Sequence, residues 1–176
     1  MHQNIRSIHC IFVGFMLFAT NVSANADNRG TTEEGRAGKS PAETLEIYFA
    51  ALKQRNKNPG LAIYTPATRQ MLRDWVMTAP QMDNLVHTYS LCNAEAARID
   101  KSRRYAVIRY PTHQRQCSPW FFEFIDGTWA LDLTMMQRAI RFGRDNAWHF
   151  ERGAPQPYDY AFADWEFDSH GFPRVD

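Results

Sequence analysis

The sequence predicts an α+β fold in which N-terminal helices pack on an antiparallel sheet and an aromatic segment follows. Helix-start signals and apolar residues at helical spacing are found between residues 40 and 89. Runs of β-forming residues with a hairpin signal follow between residues 105 and 133. The length suits one domain, which we place at residues 40–150.

The first 26 residues have the pattern of an export signal. Arg6 precedes an apolar stretch at residues 11–19, which is shorter than the ~20 residues that span a bilayer. Small residues then lead to Ala26, as signal peptidase requires. We expect residues 1–26 to be removed and the mature protein to be periplasmic or secreted. Residues 27–39 contain no large apolar side chain, which predicts a flexible leader.

Three helix starts follow the leader. Ser40 is suited to cap a helix that has Pro41 in its first position and Glu43 in a capping box. Similar starts stand at Thr65-Pro66 and Ala79-Pro80. We expect the apolar residues of each helix to form a buried stripe: Leu45, Tyr48, Phe49 and Leu52 in the first, Met71, Leu72, Trp75 and Val76 in the second, and Met82, Leu85, Val86 and Tyr89 in the third.

The sheet is predicted from three runs at residues 105–110, 118–125 and 128–133, and the last two are joined by the hairpin signal Asp126-Gly127. The run at 118–125 carries apolar side chains on both faces, which places it inside the sheet. A helix over residues 134–142 is expected to follow.

Two cysteines, Cys92 and Cys117, remain after signal removal. In an oxidising compartment we expect them to form a disulfide, and two free thiols are the alternative. If residues 91–99 formed the first strand of a simple meander, the two Cα atoms would lie about 9–10 Å apart. A disulfide needs about 7 Å or less. We therefore expect the first strand to begin after Cys92.

The C-terminal segment, residues 151–176, is rich in aromatic residues and mostly acidic in charge. So much aromatic surface is costly to leave in water. We expect this extension to pack on the domain or on a partner. Within it, the alternating carboxylates Asp164, Glu166 and Asp168 are interpreted as surface acids.

The first helix and the hairpin carry a resemblance to a known family. Residues 40–43 with the pair Tyr48-Phe49, and residues 120–133 (WFFEFIDGTWALDL), resemble the exported bacterial branch of the nuclear transport factor 2-like superfamily. The resemblance covers about residues 40–142. It implies a cone-like domain, in which a strongly curved antiparallel sheet surrounds the first helix and an apolar pocket opens at one end. Members include isomerases, dehydratases and non-enzymatic binding modules.

Composition excludes several function classes. There are 20 basic and 19 acidic residues, with a formal net charge of +1, so no strong positive field attracts nucleic acid or an anionic membrane. Phosphate-binding and dinucleotide motifs are absent from the sequence, and the histidines lack metal-ligand spacing. We therefore expect no cofactor, no metal site, no nucleic-acid partner, and no membrane association after signal removal.

The leading hypothesis is an exported non-enzymatic binding protein that holds a small apolar ligand or a protein partner. Aromatic residues that line a concavity bind apolar ligands, although strand aromatics more often fill a core. A homodimer through the sheet is also considered. The residues expected to line the ligand pocket are Tyr48, Trp75, Trp120, Phe122 and Trp129.

Two alternatives remain open. One is an isomerase or dehydratase that uses a cavity carboxylate, for which the catalytic candidate is Asp132. The same residue precedes a predicted helix and is equally suited to cap it. The other is an inhibitor or immunity-like protein whose acidic aromatic extension occupies a partner's cleft.

Overall fold

The computed structural model describes residues 37–151, 153 and 156–175. The predicted signal at residues 1–26 and all but the last three residues of the predicted leader lie outside the described residues. The described chain has an α+β fold with four α-helices and a four-stranded antiparallel meander in sequence order. Its helices are α1 (Pro41–Lys53), α2 (Pro66–Asp74), α3 (Ala79–Ser90) and α4 (Leu133–Ala139). Its strands are β1 (Arg98–Ile99), β2 (Tyr105–Ile108), β3 (Trp120–Ile125), β4 (Thr128–Leu131), and the separate pair β5 (Ile140–Phe142) and β6 (Trp148–Phe150).

The three predicted helix starts are confirmed. The Ser40 hydroxyl accepts a hydrogen bond from the Glu43 backbone N–H at 3.1 Å. Thr65 caps α2 in the same way, and Thr78 and Gln81 form a reciprocal capping box at α3. Each cap satisfies backbone donors that have no partner within the helix.

The predicted buried stripe of the second helix is wrong at its end. Because α2 stops at Asp74 and Trp75 adopts an extended backbone, helical spacing no longer determines which side chains face inward. Trp75 is 46% exposed and Val76 is 56% exposed.

The hairpin and the interior strand are confirmed. Asp126 and Gly127 both have positive φ angles, of 50° and 83°, as a two-residue type I′ turn requires. Strand β3 pairs with β2 on one side and with β4 on the other. It is therefore an interior strand of the sheet, as the sequence predicts.

The disulfide between Cys92 and Cys117 is confirmed, with Cα atoms 6.0 Å apart. Strand β1 begins only at Arg98, so Cys92 lies in the connection after α3 and is free to approach the end of the loop before β3. The alternative of two free thiols is wrong.

The helix predicted over residues 134–142 is too long. Helix α4 ends at Ala139, and the next three residues form β5, which pairs with β6. Phe142, the last residue of the predicted helix, is exposed. The sequence pattern missed this strand because its partner, Trp148–Phe150, follows a short 3₁₀ turn and was not identified as a strand.

Two separate cores cover the two faces of β3. Trp120 and Phe122 point to an inner core formed with the helices, and Phe121 points to an outer core formed with the C-terminal extension. The buried residues of the outer core are Val107, Phe121, Ala139, Ile140, Trp148, Tyr158, Ala161 and Phe162.

The C-terminal extension folds back onto the sheet. The Tyr158 ring stacks on Phe121 with centroids 4.3 Å apart and planes within 13°, and Phe162 is buried beside them. The acidic aromatic segment thus completes the core of its own chain.

Arg109, which directly follows β2, binds this extension to the sheet. Arg109 is only 3% exposed and makes ion pairs with Asp164 and Glu95, both at 2.7 Å. Its guanidinium also lies 4.5 Å from the centre of the Trp165 ring. Arg109 and Arg98 hold the pKa of Asp164 well below its usual range. The Asp164 side chain is 47% exposed, as expected for a surface acid, and it also anchors the extension to Arg109.

We expect Phe162→Ala to lower the free energy of unfolding by about 3–5 kcal/mol, because it removes a buried ring from the outer core. Urea denaturation followed by circular dichroism measures the change. Val175→Ala, at an exposed position of the same extension, is the control and should change stability by about 0.5 kcal/mol or less. A similarly small loss for Phe162→Ala would contradict the outer core.

We expect the double variant Cys92→Ser/Cys117→Ser to lose about 3 kcal/mol, since the disulfide closes a loop with a sequence separation of 25. The same urea experiment measures this loss. A reducing agent should destabilise the wild type equally and leave the double variant unchanged. Equal stability of oxidised and reduced wild type would show that the disulfide does not stabilise this fold.

Candidate functional site

A cavity of about 990 Å³ opens between α3, the end of α2, α4 and the loop of residues 113–118. This volume lies at the upper end of the ~300–1,000 Å³ typical of small-molecule sites. Tyr48 from α1 and Trp120 from β3 are its most buried lining aromatics. The cavity is therefore an open continuation of the inner core.

Most of the lining is apolar, and part of it is exposed at the mouth. Leu91 is 69% exposed, and Trp75 and Phe142 are also exposed. Single exposed apolar residues are common, but several around one cavity are typical of a binding site. Methionines contribute flexible side chains that adapt to a ligand's shape. The apolar lining comprises Met71, Trp75, Met77, Leu85, Leu91, Leu133, Met136 and Phe142, with Tyr48, Tyr89 and Trp120 as its deeper aromatic members.

The deep aromatic residues of the cavity carry hydrogen-bonding groups. The Tyr89 hydroxyl donates to the Ser118 carbonyl at 2.9 Å, and the Trp120 indole N–H donates to the Tyr110 hydroxyl at 3.1 Å. The Tyr48 ring packs against the rings of Tyr64 and Trp120. These contacts hold the aromatic rings at the bottom of the cavity in place.

The tyrosines of the cavity are neutral hydrogen-bond donors. Burial raises the pKa of Tyr48 and of Tyr89 far above the usual value of 10. Neighbouring tyrosines raise the pKa of Tyr48 further. The hydroxyls of Tyr48 and Tyr89 therefore stay protonated at neutral pH.

The loop that forms one wall is braced on several sides. Cys117 is bonded to Cys92 at the end of α3, and the Trp148 backbone N–H donates to the Arg115 carbonyl at 3.0 Å. The Arg115 guanidinium donates to the Pro173 carbonyl at 2.8 Å. Such bracing holds the wall in place before a ligand arrives.

The structure brings together three of the five residues predicted to line a pocket. Tyr48, Trp75 and Trp120 line the cavity. Phe122 lies fully within the inner core, and Trp129 packs on Phe124 with ring centroids 5.1 Å apart. Both residues act as core and lie outside the lining. Alternation along β3 predicted their common face but not where the cavity ends.

Sequence reasoning missed the loop and α3 as cavity walls. His87 on α3, and His113 and Arg115 in the loop, all line the cavity. The predicted disulfide was the available signal, because bonding Cys92 to Cys117 necessarily places the loop beside the end of α3.

Asp132 performs the helix-capping role that was considered for it. Its carboxylate accepts a hydrogen bond from the Met135 N–H at 3.0 Å and another from the Tyr158 hydroxyl at 3.0 Å. It lies outside the 990 Å³ cavity, in a separate open groove beside Glu123 and Arg104. Burial raises its pKa, although these two hydrogen bonds oppose the rise. Asp132 thus joins α4 to the extension.

Neither a metal cluster nor a membrane-spanning helix is found in residues 37–151, 153 and 156–175. No group of three or more His, Cys, Asp or Glu side chains among them is arranged to hold a metal ion. None of their helices is long and apolar enough to cross a bilayer.

Comparison with protein-family models, with curated proteins and with solved structures gives no match for this chain. The site is therefore interpreted from its own geometry.

We expect Asp132→Asn to alter how stability depends on pH. Burial raises the pKa of Asp132 in the folded protein above its ordinary value, so the folded state binds the proton more tightly than the unfolded state, and ionisation lowers the stability of the fold. The stability of the wild type relative to the variant should fall as the pH rises from about 4 through the raised pKa, and then level off. Urea denaturation at pH 3, 5 and 7 measures this. A relative stability that rises with pH would contradict the direction of the shift.

Proposed function

We propose that the protein is an exported, non-enzymatic binding protein that holds a small apolar ligand in the cavity beside α3. The observation that carries the proposal is the cavity itself, whose apolar lining reaches the surface at Trp75, Leu91 and Phe142. A ligand would remove exposed Trp75, Leu91 and Phe142 from water, at roughly 25 cal/mol per Å² of apolar surface.

Export is proposed from the signal-like N-terminus, and the disulfide supports it. Disulfides persist in the periplasm and outside the cell, and they are rare in the reducing cytosol. The bond between Cys92 and Cys117 also braces the cavity wall. An oxidising compartment would therefore preserve the shape of the cavity as well as the stability of the fold.

The cone-like arrangement and membership of the nuclear transport factor 2-like superfamily are part of the proposal. They are supported by three helices that precede the antiparallel meander and by a cavity that borders both α1, through Tyr48, and β3, through Trp120.

The binding function receives more support than the two alternatives. The proposed catalytic Asp132 is engaged in capping α4 and in holding Tyr158. Tyr158 and Phe162 of the extension are buried in their own chain, which leaves these rings unavailable to a partner's cleft.

We expect the neutral fluorophore N-phenyl-1-naphthylamine to bind in the cavity and to gain fluorescence there. Leu91→Lys should weaken binding about tenfold, because it places a charge in the apolar mouth, equivalent to about 1.4 kcal/mol. Ile99→Lys is the matched control, since Ile99 is an exposed aliphatic residue outside the cavity. Fluorescence titration gives the dissociation constants.

Equal effects of Leu91→Lys and Ile99→Lys, or no saturable binding by the wild type, would contradict the proposed site. Circular dichroism of both variants establishes that the lysines have not unfolded the domain.

A further inference from the structure

The cavity is lined almost without formal charge. Charged residues make up 22% of the chain, but Arg115 is the only Asp, Glu, Lys or Arg among the described lining residues. Its guanidinium donates to the Pro173 carbonyl at 2.8 Å and lies 5.4 Å from the centre of the Phe172 ring, and its charge acts on the Asp168 carboxylate. These three partners lie outside the lining. The one fixed charge of the wall therefore serves the contacts with the C-terminal extension.

Primary amides provide most of the polar side chains of this lining. Five belong to it, on α3, on the loop of residues 113–118, on α4 and on the 3₁₀ turn before β6: Asn84, Gln114, Gln116, Gln137 and Asn146. All of them except Gln114 are exposed, which places them at the mouth. The apolar lining residues Met71, Leu133 and Met136 are half-buried. The lining therefore changes from apolar in its interior to hydrogen-bonding at its mouth.

Two of these amides are held in position by backbone groups. The Gln114 Oε1 accepts a hydrogen bond from the Asn93 N–H at 2.8 Å, and the Gln116 Nε2 donates to the Asp145 carbonyl at 3.2 Å. Each bond engages one end of an amide that has both a carbonyl acceptor and an NH₂ donor. Because the side chains are already positioned, less entropy is lost when a ligand binds to them.

This lining is suited to a neutral polar group. An amide and a hydroxyl are complementary, because each can donate and accept a hydrogen bond. A charged group that entered the mouth would lose part of its hydration without meeting a counter-charge, which is unfavourable. A hydroxylated group loses weaker interactions with water and regains hydrogen bonds from the amides.

We infer that the cavity binds a neutral amphiphile, an alkyl chain that ends in a hydroxyl-bearing head group, with the chain on the apolar lining and the head group on the amides at the mouth. This inference rests on the proposed function and specifies its ligand. An alkyl glycoside has this chemistry.

Isothermal titration calorimetry with octyl glucoside, octyl sulfate and octyltrimethylammonium tests the inference. The three ligands share a chain, and their head groups are neutral and hydroxylated, anionic, and cationic. Each is used below the concentration at which it forms micelles. The wild type should bind octyl glucoside at least about tenfold more tightly than either charged ligand.

Variants assign the head-group contact to the amides. The double variant Asn84→Leu/Gln137→Leu should lower the affinity for octyl glucoside at least about fivefold, as the loss of one hydrogen bond would, and should not lower the affinity for the fluorophore. Gln54→Leu/Gln70→Leu is the matched control, because both glutamines are exposed and lie outside the lining. The control should keep the wild-type affinity for octyl glucoside within about twofold.

The outcomes separate this inference from the proposed function. If a charged ligand binds as tightly as octyl glucoside, or if only the neutral fluorophore binds, the hydroxylated head group is wrong and the apolar site stands. If the double variant and its control have equal effects on octyl glucoside, the amides do not hold the head group and the inference also fails. If the fluorophore and all three octyl ligands fail to bind, both proposals are wrong.

Discussion

Strand β3 carries aromatic side chains on both of its faces, so the fold has to cover it twice. Trp120 and Phe122 are covered by the helical layer, and Phe121 is covered by Tyr158 from the extension. Large aromatic side chains dominate the energetics of a core, so the fold requires both the helical layer and the C-terminal extension. The position of α1 on one side and the return of the chain on the other both follow from this requirement.

The cavity lies where the helices do not fully cover the inner face of β3. Helices α3 and α4 both approach Trp120, but the space between them stays open. The disulfide and the loop that contains Arg115 close one side of this space. The cavity and the inner core therefore share the aromatic residues Tyr48 and Trp120. A bound ligand would cover the part of this aromatic surface that the helices leave open.

Features that depend on neighbours in sequence were predictable, and features that depend on distant partners were not. Ser40, Thr65 and the Asp126-Gly127 turn act through adjacent backbone groups, so local chemistry identified them. The exposure of Trp75 and the strand at Phe142 depend on where helices stop and on which segments pair. Alternation along β3 predicted two buried faces, but it could not distinguish Phe122 in the core from Trp120 at the cavity.

Long-range contacts hold the layers together, and they have a kinetic consequence. The Thr44 hydroxyl of α1 bonds the Trp129 carbonyl across 85 positions, and Arg109 reaches Asp164 across 55. Chain entropy is lost in closing such loops before their contacts form, so proteins of this topology fold more slowly than helical bundles of similar size. Until the last layer docks, the aromatic face of β3 is exposed to other chains, and aggregation competes with folding during that interval.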